Sequence, residues 1–129
     1  MTLPMKDSIS TLSKESPTAR FDVQALIDSV GQGEPAQKGI DRTVVLLKTD
    51  KLRVVFRSLS EGTTLPTHQA NGPITVQVLD GQIEFMAGAQ TIQLRRGELL
   101  ALEFGIPHSV KALKHSAILI TVAVQTQSA

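Results

Sequence analysis

Two of the three histidines, His68 and His108, follow glycine-marked turns. His68 comes after Gly62 with five residues between, and His108 comes after Gly105-Ile106-Pro107. Imidazole changes charge close to neutral pH, so a convergent pair can act as acid and base or hydrogen-bond a ligand. The plainer alternative is that each ring donates to a backbone carbonyl and carries no chemistry. His115, between Lys114 and Ser116 at a turn, is expected to be exposed and inert. Arg53 and Arg57 share a strand parity with Val55 and Leu59, whereas Leu52, Val54, Phe56 and Ser58 form the alternate set. Both sets are partly apolar, so the inward face stays open. An inward Arg57 would suit an anionic substrate such as a carboxylate; an outward one would be a surface or interface arginine.

The elements that must carry these residues are short strands. From Arg42 onward, β-branched runs alternate with turn residues: Arg42–Lys48, Leu52–Leu59, Ile74–Leu79, Gln82–Ala87, Gln90–Leu94, Leu99–Glu103, His108–Ala112 and Ala117–Val124. Asp80-Gly81 is the strongest hairpin signal among them. Strands at this pitch without intervening helices indicate a sandwich or small barrel. Gly62, Gly81, Gly97 and Gly105 supply the permissive backbone that tight corners need. Each histidine is expected to begin a strand after its turn, so that the two rings meet at one mouth of the barrel. Ahead of the strands, Phe21, Ala25, Leu26 and Ile27 recur at helical spacing, predicting a short helix over about Asp22 to Val30, and Gly33 to Gly39 reads as a linker. Residues 1–20, rich in Ser, Thr, Lys and Pro, are expected to form a flexible N-terminal arm, free or docked on a partner subunit. Residues 21–129 are expected to be one domain.

Composition closes several routes. The chain has 129 residues and a formal net charge of +1, which disfavours a nucleic-acid binder working by phosphate neutralisation. Trp and Tyr are absent and only 4 Phe are present, so base-stacking platforms are not expected. There is no Cys, hence no disulfide, thiolate metal site or thiol nucleophile. The longest apolar-rich run, Ala117 to Val124, is too short to span a bilayer. No glycine-rich loop precedes a helix, and no Gly-x-Ser-x-Gly elbow occurs. A cytoplasmic setting is expected from the lack of a signal sequence and of Cys.

Taken together, the two glycine–histidine blocks resemble a known family. Gly62, His68 and the Val78-Leu79-Asp80-Gly81 stretch form one block; Gly97-Glu98, Glu103, Gly105, Pro107 and His108 form the other. They are similar to the paired motifs of the cupin superfamily, over roughly Arg42 to Val124. The resemblance implies an all-β fold: a cupin-type jelly-roll β-barrel, the RmlC-like double-stranded β-helix, here with a short N-terminal helix. A metal-binding member would carry a second histidine at position 70 and a glutamate at position 74, where this chain has Ala70 and Ile74. Of the four implied metal ligands only His68 and His108 remain. Glu103 takes the place of the usual proline and Ala112 that of the usual asparagine. Zinc sites normally take three or four protein ligands, and non-haem iron takes two histidines with a carboxylate. Gln69 faces away if His68 points inward, and alternation does not clearly aim Glu84 or Glu103 into the barrel.

The substitutions carry their own message. Ala70, Ile74, Val76 and Val78 share the parity of the missing ligands, so the lumen is apolar where charge is implied. They serve either as core filling or as the walls of a pocket. The expectation is a binding module without a metal cofactor, taking a small organic molecule between Ala70, Ile74 and Val76 and orienting it with His68 and His108. The first alternative is a metal-dependent cupin enzyme, a dioxygenase or isomerase, holding its ion on His68 and His108 with unforeseen ligands. A metal-free acid/base enzyme and a structural dimer-forming protein are the others. The resemblance also implies a homodimer, and the apolar strands Arg42–Lys48 and Leu52–Leu59 look able to cover another surface.

Overall fold

A computed structural model describes residues 9–31 and 41–125. One helix, α1 (Val23–Gly31), precedes nine strands: β1 (Arg42–Lys48), β2 (Leu52–Leu59), β3 (Thr64–His68), β4 (Ile74–Asp80), β5 (Gln82–Ala87), β6 (Gln90–Arg95), β7 (Leu99–Leu102), β8 (His108–Ala112) and β9 (Ser116–Ala123). They form a five-stranded sheet in the order β1-β2-β9-β4-β7 and a four-stranded sheet in the order β3-β8-β5-β6. Every strand pairing within the two sheets is antiparallel.

Alternation along the strands sends one face of each sheet into a shared core. Val76, Val78, Ile83, Phe85, Val110 and Ile118 meet there. The β4–β5 hairpin turns at Gly81, whose φ is +89°. A side chain there would collide with His115 O and Ser116 Oγ, so this corner admits glycine alone. The other expected corner residues, Gly62, Gly97 and Gly105, also have positive φ, between 84° and 89°.

The parity of β2 is settled by what lies on each side. Phe56 is fully buried in a second cluster with Val30 of α1, Val44, Leu46 and Ala117, against which Phe21, Leu26 and Ile27 pack. The outer face of β1 and β2 is therefore apolar because α1 covers it. The apolar character that suggested a covered surface is met within the chain. The alternate set, Arg53, Val55, Arg57 and Leu59, stands in register with Val122, Ile120, Ile118 and Ser116 of β9 and belongs to the inner face.

Helix α1 begins one residue later than its pattern suggests, because Asp22 caps it: the Ala25 N–H donates to Asp22 Oδ1 at 3.0 Å. Strand β3 had no apolar alternation to announce it. Its sequence, Thr-Leu-Pro-Thr-His, is mostly exposed, and it is an edge strand, where the missing Pro66 N–H is tolerated. One expectation is corrected here: His68 ends a strand, whereas His108 begins one.

Residues 1–8 of the expected arm and the expected linker lie outside the described residues. Within 9–20, Ser10 bridges to β1 of its own chain: its N–H donates to Leu46 O at 3.1 Å and its carbonyl accepts from Lys48 N–H at 2.9 Å. Among the described residues, no helix is long and apolar enough to cross a membrane.

Candidate functional site

Because β3 and β8 run antiparallel, the end of one lies beside the start of the other. His68 and His108 are thus direct register partners, despite a shift in register between Leu65 and His68. Their ring centroids are 4.3 Å apart, with planes inclined at 61°. His108 is 4% exposed and stacks on Phe85 at 5.5 Å, while His68 is exposed to solvent.

Both rings are held in the same way. His68 Nδ1 lies 2.9 Å from Pro66 O, and His108 Nδ1 lies 2.9 Å from Ile106 O. A carbonyl oxygen only accepts, so in each contact Nδ1–H is the donor. A neutral ring of that tautomer carries its lone pair on Nε2. The plainer outcome for these histidines, donation to backbone, is what the structure contains. Its consequence is two Nε2 acceptors set in place by the backbone.

The rings border a cavity of about 430 Å³ between the sheets. Ala70, Ile74 and Val76 line it as their parity predicts, joined by Leu65, Pro66, Phe85 and Val110 from the smaller sheet's side and by Ile118, Ile120 and Val122 of β9. Val78, on the same face, is wholly buried in the core instead. Arg57 also lines the cavity. The two parities of β2 did not single it out; the signal lies in α1, whose apolar stripe claims Phe56 and so turns Arg57 inward.

None of the described lining residues is acidic. Glu84 alternates with the buried Ile83 and Phe85 and so faces away, and Glu103 is exposed, accepting from the Phe104 N–H at 3.0 Å. Gln69 is exposed and does not line the cavity. Positions 70 and 74, where the resemblance implies metal ligands, hold aliphatic side chains, and among the described residues no group of three or more His, Asp or Glu is placed to hold an ion. Two imidazole nitrogens fall short of the three or four protein ligands that such ions take, so the donor set among the described residues does not fit a catalytic first-row metal. His115, expected to be exposed, is half-buried, with Nε2 3.3 Å from Ser58 Oγ.

No protein-family model matches the sequence, and no curated protein does. Solved structures do. A Streptococcus pyogenes protein of unknown function superposes with a TM-score of 0.70 at 22% identity, over 93% of this chain and 99% of that one. A cupin superfamily protein from Desulfitobacterium hafniense gives 0.69 at 15% identity, over 92% and 99%. This chain has the cupin fold. An RmlC-like cupin from Desulfovibrio desulfuricans is similar at 26% identity, with a TM-score of 0.59 over 82% of this chain and 89% of its own. The double-stranded β-helix implied by the two glycine–histidine blocks is therefore the architecture found.

Proposed function

We propose that this cupin is a small-molecule-binding module. The ligand sits in the cavity between the sheets, its apolar body against Ala70, Ile74 and Val76. His68 and His108 accept hydrogen bonds from its polar atoms through Nε2, and no catalytic metal takes part. The observation that carries this reading is an apolar cavity of about 430 Å³ beside two imidazoles already oriented by their Nδ1–H bonds. Sites of that size and lining, with few polar groups, are the usual form of small-ligand pockets. The reading includes a cytoplasmic setting and a homodimer. With the outer face of β1 and β2 occupied by α1, the dimer rests on the family resemblance, and light scattering at micromolar concentration tests it.

The test of binding is a thermal-shift screen of small organic compounds, followed by calorimetry on hits. Hits should weaken in His108→Ala while the apo-protein keeps its circular dichroism. A screen without hits, or hits indifferent to His108→Ala, would end the proposal.

A second reading is favoured by one observation. A histidine that ligates a metal usually donates its other ring N–H to a carbonyl or carboxylate, and both rings here do so. A metal-dependent enzyme would then need ligands from beyond the described residues or from the substrate. Elemental analysis of the purified protein decides: a stoichiometric first-row ion, released in His68→Ala, would replace the first reading with this one.

A further inference from the structure

Among the described residues lining the cavity, Arg57 alone bears a permanent charge. It is half-buried, yet its Nε is fully buried and has no protein hydrogen-bond partner among the described residues. Buried polar nitrogens are almost always bonded, so a donor left this way marks a place where a partner is expected. No described lining residue is acidic, so none of them offers a counter-charge. A guanidinium beside Ile74, Val76, Ile118 and Ile120 is costly unless an anion meets it.

We infer that the cavity selects a compact organic carboxylate, its apolar body against the aliphatic wall and its carboxylate on Arg57. The inference rests on the small-molecule reading above and adds the ligand's class. The planar guanidinium holds adjacent N–H donors at the spacing at which two carboxylate oxygens accept together. The remaining polar end of the ligand faces imidazoles that accept when neutral, so a hydroxyl or amine donor there completes the match. Arg53 shares the face and also has an unpartnered buried Nε, but it does not line this cavity.

The experiment compares matched probes by calorimetry: benzoate against benzamide, and cyclohexanecarboxylate against its amide. Each carboxylate should bind wild-type protein about tenfold or more tightly than its amide. Arg57→Gln should abolish that preference, with amide binding retained. Arg57→Lys, which keeps charge without the fork, should retain part of it. Amides binding as well as carboxylates would overturn the inference and leave the small-molecule reading standing. Failure of both carboxylates at millimolar concentration would overturn the inference, while the compound screen above decides the small-molecule reading separately. Carboxylate preference surviving in Arg57→Gln would also overturn the inference. A measurement on the unaltered protein guards against a misfolded variant. The Arg57 Nε–H resonance should move downfield with benzoate and stay in place with benzamide, and an unmoved resonance at saturation counts against the contact.

Discussion

Strand β2 separates two apolar regions with different fates. On its outer side Phe56, with no exposed surface, is sealed beneath α1 among Val44, Leu46 and Ala117. On its inner side Val55 and Arg57 face β9 across a register in which Ile118 and Ile120 border open space. The same sheet thus has one face whose central ring is sealed beneath a helix and one face left partly empty, with a cation in it. Burial is driven by removal of apolar surface from water, and interiors normally pack to crystal-like density. The cavity on the inner face is the feature on which the proposed binding role rests.

The largest effect should come from breaking the sealed side. Phe56→Ala removes a wholly buried ring and should cost about 3–5 kcal/mol, read from urea midpoints. A loss below about 1 kcal/mol would mean that α1 does not close a true core. On the cavity side, Ile120→Ala removes a partly exposed side chain that already borders a void, so the same titration should show only about 1–2 kcal/mol. Equal costs for the two would erase the distinction between the faces. Asp22→Ala tests how firmly the cover is held: losing the bond to the Ala25 N–H should cost about 1 kcal/mol. The smallest change carries the sharpest sign. Arg57→Met removes a buried, unpartnered donor and should leave stability unchanged or raise it by up to about 1 kcal/mol. Marked destabilisation would show that Arg57 holds the fold together.

Much of this was legible in the sequence, for reasons that can be named. β-Branched runs broken by Gly and Asp-Gly turns marked eight of the nine strands within about two residues, since strand pairing and turn chemistry are local signals. The convergence of His68 and His108 followed from glycine spacing, and the places of Ala70, Ile74 and Val76 from parity. Strand β3 was not legible, because an exposed edge strand containing Pro66 needs neither alternation nor a full ladder. Arg57 was ambiguous because both faces of β2 are apolar. Parity cannot choose between them until the contact with α1 is known, and that contact is tertiary. The partner of His115, Ser58, lies 57 residues away, beyond the reach of any local pattern.

The two imidazoles are carried by unequal supports. His108 begins a strand bonded on both sides, by β3 and by β5, whereas His68 ends a proline-bearing strand bonded on one side only. Elements with fewer bonds and less burial open more readily. The pair is accordingly a vice with one fixed jaw and one yielding jaw. On the proposed reading, a thicker guest would displace the outer ring first, and the inner ring would stay in place to meet its polar atoms.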